Sequence, residues 1–285
     1  MRVRPVEKRF FFHANAVALA AHVRRPEDFF ILSVASSCLP VTGGEGKAEI
    51  KGESFRDLLV YESASTSVSG DFTDKEKAVE FTHGNHGKNN LATATHAESQ
   101  ISGLKITNGG RTLEIDSLEA KMSSFSDRRG AVEFRTLSAG FQRVRIDGMG
   151  LQIATHCDLF TGHPTKQKLV QGFASNPDMR ARYGSCFFGQ KSPGSRSRRI
   201  PELGGIIYGT VVTSLEWEGK APTDAVVSGN SMAIAGLGSI YFGEIIVEEG
   251  FRRLTMLRFE VGSEPYGGCG SAAEIQTNGS SWPPQ

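Results

Sequence analysis

The sequence predicts an all-β protein, a mostly antiparallel β-sandwich or β-barrel, and three observations support this fold class. Residues 239–247 and 251–261 are rich in apolar side chains and are predicted to form two long strands joined by a short turn. The dipeptide Asn108-Gly109 separates two further extended runs, and this pair of residues favours the tight turn of a β-hairpin. The chain also contains 33 glycines, above the average share of about 7%, which suits many turns between strands.

The length of 285 residues fits one large β domain or two ordinary domains. We expect a single β domain over residues 1–285, with a possible internal split near 163–200. A chain of this size buries roughly 75% of its unfolded surface, so its core needs neither a metal ion nor disulfides.

The first strand of the predicted hairpin, 239–247, is apolar on both of its faces. Its apolar residues occupy both odd-numbered and even-numbered positions, which point to opposite faces of a strand. Tyr241, Ile245 and Val247 lie on one face, and Ile240, Phe242 and Ile246 lie on the other. This pattern predicts a strand inside a sheet that is covered on two sides. The second strand alternates more cleanly, with Leu257, Phe259 and Val261 on one face.

A change of phase marks the segment 111–124, which is predicted to return from the Asn108-Gly109 turn. Leu113 and Ile115 are at odd-numbered positions, whereas the apolar residues that follow, from Leu118 to Met122, are at even-numbered positions. Such a slip near Asp116 and Ser117 predicts a β-bulge, or a strand whose two halves face different layers.

The strand pattern is interrupted by a predicted two-helix insertion at about 163–184. Leu169 and Phe173 are four residues apart, which places them on one face of a helix. Asn176 and Pro177 then have the residue types of an N-cap and first position, so a second short helix is predicted to end at Gly184.

Charge and hydropathy limit the classes of partner. The chain has 32 Lys+Arg and 31 Asp+Glu, and a net charge of +1 argues against a dedicated nucleic-acid binder. No stretch approaches the roughly 18 apolar residues of a membrane-spanning helix. The basic loop 191–199 lacks interleaved aromatic residues and is predicted to be a solvated crossing loop.

The N-terminus from Met1 to Ala21 has some features of a secretory signal. A basic start precedes an apolar run, and Ala18-Leu19-Ala20 resembles a small-residue cleavage site. His13 interrupts the apolar run, so we interpret it as the first strand. The cytoplasm is therefore the default compartment, and secretion stays open.

Four cysteines, Cys38, Cys157, Cys186 and Cys269, are scattered without a CxxC motif. Two disulfides in any of three connectivities are open in an oxidising compartment. The favoured interpretation is four small apolar residues, buried in strands or at strand ends.

Histidines supply two candidate metal sites. His83 and His86 share one polar loop, and His156, Asp158 and His163 lie at a predicted strand end and the turn after it. Imidazole and carboxylate groups at such short spacing can share a metal ion. Solvated loop histidines are the commoner outcome of the same pattern.

Motifs for cofactors and nucleophiles are incomplete, so no cofactor is indicated. Residues 43–47 resemble a phosphate-binding loop, but the spacing is wrong and Ala48 replaces the required Ser or Thr. Gly236 and Gly238 lack the third glycine of the dinucleotide fingerprint, and no G-x-S-x-G nucleophile motif occurs.

Two carboxylates on predicted strands, Glu244 and Glu216, are the weak catalytic candidates. A glutamate that points into a barrel has a raised pKa through desolvation, which suits general acid–base chemistry. The neighbouring strand carries Arg252, Arg253 and Arg258, so an ion-paired carboxylate is the favoured interpretation.

Together these features favour a non-catalytic module that binds a ligand, here an apolar small molecule, or self-assembles as a homo-oligomer through long edge strands. The alternatives are a β-barrel enzyme of isomerase or cyclase type, acting on an apolar small molecule through a buried carboxylate, and a histidine-based metal site.

Overall fold

Two antiparallel β-sheets pack face to face in a computed structural model, which confirms the all-β sandwich with a short helical insertion. The structure describes residues 9–24, 28–73, 92–126, 132–188, 206–261 and 268–282. The strands are β1 (Arg9–Val23), β2 (Phe29–Cys38), β3 (Gly44–Phe55), β4 (Leu59–Thr73), β5 (Ala92–Asn108), β6 (Arg111–Ser126), β7 (Glu133–Ile146), β8 (Met149–Thr155), β9 (Phe187–Phe188), β10 (Ile207–Thr210), β11 (Val212–Trp217), β12 (Ala225–Ser228), β13 (Ser231–Ile234), β14 (Gly238–Glu248), β15 (Phe251–Val261) and β16 (Gly268–Trp282).

Sheet A has the strand order β12-β13-β14-β15-β16-β1-β2, with β10 and β9 added beside β14. Sheet B has the order β11-β8-β7-β6-β5-β4-β3. The core lies where β1 and β16 of sheet A pack on β4, β5 and β6 of sheet B. Alanines dominate the inner face of β1, and Ser99 Oγ donates a hydrogen bond of 3.0 Å across the sandwich to the Val17 carbonyl. Small side chains here let the two sheets approach closely.

Each sheet is crossed by a line of residues at which the pleat reverses, which we call its inversion row. In β5 and β6, Ser102 pairs with Ser117 and Leu104 pairs with Ile115, so the register is the same on both sides of the row. The buried positions nevertheless change parity there. The row of sheet A contains Ala35, Ala18, Ala273, Met256 and Gly243, and that of sheet B contains Gly52, Glu62, Gly103, Asp116 and Arg143.

Positive backbone φ angles occur on alternate strands from β14 to β2 in the row of sheet A and on β5 and β7 in the row of sheet B, but not at Gly52 of β3. In sheet A they are 45° at Ala35, 52° at Ala273 and 61° at Gly243, and in sheet B they are 63° at Gly103 and 45° at Arg143. Residues other than glycine rarely adopt this conformation. It persists here because the neighbouring paired strands hold each row residue in register.

The inversion rows correct two predictions from the sequence. The phase change in β6 is real, but the pairing continues without an extra residue, so it is neither a bulge nor a change of layer. Strand β14 is likewise apolar on both parities because of the reversal at Gly243, and not because both of its faces are covered. Tyr241 and Ile246 are half-buried on the outer face, whereas Ile245 is buried.

The hairpin turn predicted at Asn108-Gly109, which joins β5 to β6, is shifted by one residue from its predicted position. Strand β5 ends at Asn108, and the central residues of the turn are Gly109 and Gly110, with φ of 55° and 78°. Asn108 instead donates side-chain hydrogen bonds to the carbonyls of Gly236, at 2.8 Å, and Leu237, at 3.0 Å. These contacts tie the tip of the β5–β6 hairpin to sheet A.

The helical insertion is confirmed, with one additional short helix before the two predicted ones. The helices are α1 (Asp158–Thr161), α2 (Lys166–Ser175) and α3 (Pro177–Tyr183), followed by a 3-10 turn at Gly184–Cys186. The Asn176 side chain caps α3, as predicted, by accepting hydrogen bonds from two backbone N–H groups.

Arg252 anchors this insertion from inside the sandwich. Its side chain is 1% exposed and donates hydrogen bonds of 2.9 Å and 2.6 Å to the carbonyls of Phe160 and His163. Its guanidinium also lies 4.7 Å from the centre of the Phe134 ring. Burial lowers the pKa of Arg252 to about 9, which leaves the group charged at neutral pH. Its role as a partner for a strand carboxylate, considered from the sequence, is therefore wrong.

Replacing Gly243 with alanine tests the inversion in sheet A. An added Cβ would lie 2.7 Å from Val211 Cγ2 and 2.9 Å from Val212 Cγ2, at a φ of +61°. We expect Gly243→Ala to lower the free energy of unfolding by about 2 kcal/mol more than Gly110→Ala, since overpacking adds to the cost of positive φ. Gly110 is the matched control, because it has a φ of +78° and open space around its Cα. Equal losses in denaturant titrations would contradict this geometry.

Candidate ligand groove on the outer face of sheet A

A groove with a volume of about 670 Å³ crosses the outer face of sheet A. We call it the outer groove. Its wall residues come from six strands, from β2 on one side to β10 and β14 on the other, with β1, β15 and β16 between them. The groove wall includes the side chains of Ala20, Phe30, Leu32, Tyr208, Glu244, Ile246, Arg253, Thr255, Arg258, Ser271 and Glu274.

The floor of the groove is formed by small side chains on the central strands. Ala20 of β1 is paired with Ser271 of β16, and neither side chain extends far above the sheet. Thr255 of β15 lies beside them and donates a hydrogen bond of 3.3 Å to Glu274. Short side chains at the centre and longer ones at the sides make this face concave.

Exposed apolar side chains form the rim. Phe30 is 65% exposed and Leu32 is 80% exposed, which is unusual for large hydrophobic residues on a strand. The pairing of β2 with β1 shifts by one residue near Leu32, and this bulge turns both Leu32 and Ser33 outward. The His22 ring stacks on Phe30 with 4.0 Å between centroids and also contacts Asp28, which fixes one wall of the groove.

A clamp of charged side chains closes the end of the groove near β14. Arg258 donates to both carboxylate oxygens of Glu244, from Nε at 2.7 Å and from Nη2 at 2.9 Å. It also hydrogen-bonds Glu260, and its guanidinium lies 3.5 Å from the centre of the Tyr241 ring. The hydrogen bonds to Glu244 raise the pKa of Arg258 above its ordinary value, so the guanidinium is a permanent cation.

A second arginine in the groove is less fully satisfied. Arg253 Nε is 3.9 Å from the Glu274 carboxylate, too far for a hydrogen bond. This nitrogen is buried and has no hydrogen-bond partner among the described residues. The Arg253 side chain as a whole is 41% exposed, so the accessible part of its guanidinium can donate to an acceptor group of a bound molecule.

The two catalytic candidates from the sequence lie on different sheets. Glu244 lines the outer groove, but both of its oxygens accept hydrogen bonds from Arg258, as the neighbouring arginines led us to expect. Glu216 is exposed on β11, at the edge of sheet B. Neither carboxylate points into the core of the sandwich.

The candidate metal ligands that lie among the described residues do not form a metal site. His83 and His86 lie outside the described residues. His156 stacks on Tyr183 and hydrogen-bonds its hydroxyl, His163 Nδ1 donates a hydrogen bond of 2.8 Å to the Leu159 carbonyl, and Asp158 is exposed. Within the part of the chain that the structure describes, no three His, Cys, Asp or Glu side chains form a group that could hold a metal ion.

All four cysteines are free thiols. Cys186 is buried and Cys157 is half-buried, whereas Cys38 and Cys269 are exposed, so the prediction of burial is wrong for these two. Burial raises the pKa of Cys157 to about 11, which keeps it protonated and unsuited to nucleophilic chemistry at neutral pH.

The rim residues Phe30, Leu32 and Tyr208 were missed at the sequence level. A signal was present in the run 29–32, whose apolar residues occupy both parities of a strand. In a sandwich of two sheets the outer face of each strand stays uncovered. The outward direction of Phe30 and Leu32, which depends on the pairing of β2 with β1 and on its register shift, follows only from the three-dimensional structure.

The fold is an antiparallel β-sandwich with an open groove on the outer face of one sheet. The chain belongs to a family described as a domain of unknown function, DUF8256, whose family model matches residues 10–248. That match begins in β1 and ends with the last residue of β14. No curated protein matches the chain. None of the described helices is long and apolar enough to cross a membrane.

A double-mutant cycle tests the clamp. We expect Glu244→Gln and Arg258→Met to show a coupling of about 1–2 kcal/mol in the free energy of unfolding, because their hydrogen bonds are bidentate and partly buried. The control cycle uses Arg253→Met and Glu274→Gln, whose longer contact predicts a coupling below about 0.5 kcal/mol. Similar couplings in the two cycles would show that the clamp is no stronger than an ordinary surface ion pair.

Proposed function

We propose that this chain is a non-catalytic binding module that holds an apolar small molecule in the outer groove. The observation that carries the proposal is the groove itself, which has about 670 Å³ of space beside exposed aliphatic and aromatic side chains. Ligand sites have such volumes, with mainly apolar walls and a few polar groups that set orientation.

The polar groups of the groove suggest how the ligand is oriented. The Arg253 side chain lines the groove and is 41% exposed, so its guanidinium favours a ligand that ends in a hydrogen-bond acceptor. Phe30 and Leu32 would contact the apolar body of the molecule. A ligand with an apolar body and a carbonyl, carboxylate or sulfonate end matches both parts of the groove.

The barrel-enzyme alternative has less support. Glu244 has no oxygen free of Arg258, and Glu216 is exposed to solvent on the other sheet. A metal-binding function at His83 and His86 has no structural support, because these residues lie outside the described part of the chain. The absence of nucleic-acid partners and the cytoplasmic location stay predictions from the sequence.

Self-association is a second proposed function. Sheet A ends in β2 and sheet B ends in β3, and both are long strands that have no further described strand beside them. The unpaired N–H and C=O groups of such edges favour pairing with another chain.

Filling the groove tests ligand binding. The probe is 8-anilinonaphthalene-1-sulfonate, which combines an apolar ring system with an anionic acceptor. We expect Ala20→Phe to weaken probe binding about tenfold or more, since the larger ring occupies the floor of the groove. Fluorescence titration measures the dissociation constant, and circular dichroism verifies the fold.

The matched control is Ala233→Phe, at an exposed position on β13 of the same sheet outside the groove walls. This variant should bind the probe as the unmodified chain does. Equal affinities for both variants, or no binding by the unmodified chain, would contradict a ligand site in the outer groove.

A further inference from the structure

The outer edge of β3 carries a regular pattern of charge. Glu45, Lys47, Glu49 and Lys51 alternate in sign, share one parity and are all exposed. On β4 the residues opposite them are serines, such as Ser65 opposite Glu49 and Ser67 opposite Lys47. Among the described residues none of the four charges belongs to an ion pair.

Antiparallel pairing of two copies about a two-fold axis at Gly46, Ala48 or Ile50 brings only opposite charges together, and the axis at Ala48 is the one of these three that pairs all four residues. A two-fold axis at Ala48 places Glu45 opposite Lys51 of a second copy, and Lys47 opposite Glu49 of that copy. By symmetry the arrangement contains four cross-strand pairs of opposite charge, each of the kind that stabilises neighbouring strands. An axis at Glu49 would instead place Lys47 opposite Lys51 and Glu49 opposite its own copy.

The backbone of β3 is suited to such pairing along this segment. Its pairing with β4 is continuous from Gly44 to Lys51, and the inversion at Gly52 lies beyond the last charged pair. Gly46 and Ala48, on the opposite face of this segment, are half-buried, and a Cβ on Gly46 would lie 3.4 Å from the Cys38 carbonyl oxygen of β2, so this face is directed into the sandwich and away from the charged side chains. Lysine on an edge strand usually opposes association, but alternating charges accept a partner with the reverse order.

The other sheet edges fit a partner strand less well. The register between β2 and β1 shifts near Leu32, and the pleat of β2 reverses at Ala35. The edge of β2 is therefore interrupted twice. The terminal strand β12 of sheet A has 4 residues, and β11 of sheet B has 6. Strand β3 has 12 residues and is thus the longest described edge.

We propose that a second copy of this chain pairs antiparallel with β3 about a two-fold axis at Ala48, joining the two B sheets into one continuous sheet. This inference specifies the edge and register of the self-association proposed above, on which it rests. It leaves the outer groove of each copy open, because the groove lies on sheet A.

Complementary charge reversals test this pairing. Glu45→Lys alone places two lysines opposite each other, and Lys51→Glu alone places two glutamates opposite each other. Each variant contains two repulsive contacts per dimer, so we expect the dimer dissociation constant to rise at least about tenfold relative to the unmodified chain. An equimolar mixture of the two variants restores all four opposite-charge pairs, and it should form a heterodimer as tight as the original homodimer.

Sedimentation velocity measures the mass of each species, and recovery in the mixture excludes misfolding as the cause of the losses. The control is Lys220→Glu, which makes the same charge change as Lys51→Glu at an exposed loop residue away from β3. It should leave the dimer intact. A monomeric unmodified chain would overturn self-association altogether. A dimer that tolerates both reversals would overturn the choice of β3, and loss on Lys51→Glu without loss on Glu45→Lys would overturn the Ala48 axis.

Discussion

The inversion rows, held in register by the strands beside them, are the constraint on which the outer surfaces of both sheets depend. Tyr241 of β14 is paired with Arg258 of β15, and Glu244 lies beyond Gly243 on the same strand. In a strand of unbroken alternation, Tyr241 and Glu244 would point to opposite faces. The reversal at Gly243 brings Glu244 to the outer face, where both of its oxygens reach Arg258.

The outer groove and the edge proposed for dimerisation follow from the same architecture. In a long strand whose pleat reverses once, the buried positions change from one alternate set of residues to the other at the inversion row. The strand therefore keeps its apolar residues on the inner face and its polar residues on the outer face along its whole length. In sheet A this leaves small residues such as Ala20 between the rim residue Leu32 and the Arg258 clamp. In sheet B it leaves the stretch from Gly44 to Lys51 as a regular edge with unpaired charges. The proposed ligand binding and the proposed self-association would therefore use different sheets and would not compete for surface.

Local signals were enough to predict part of this structure. The strands, the Asn176 cap and the phase change in β6 each depend on neighbouring residues, so periodicity and residue type predict them. The alignment of reversals across strands was beyond prediction, because it depends on pairings such as Ala18 with Ala273, two alanines without turn chemistry. For the site, an arginine partner for Glu244 was expected, but only the parity change shows that Arg258 faces it and Arg252 points inward.

The most direct test of this account is the backbone conformation of Ala35 and Ala273 in solution. A positive φ brings the amide proton of a residue close to its own Hα, whereas extended backbone holds them apart. The account predicts strong intraresidue amide–Hα nuclear Overhauser effects at both alanines, and weak ones at Ala18 between them. Weak effects at all three would show that the strands alternate without reversal and would remove the basis for the Glu244–Arg258 clamp.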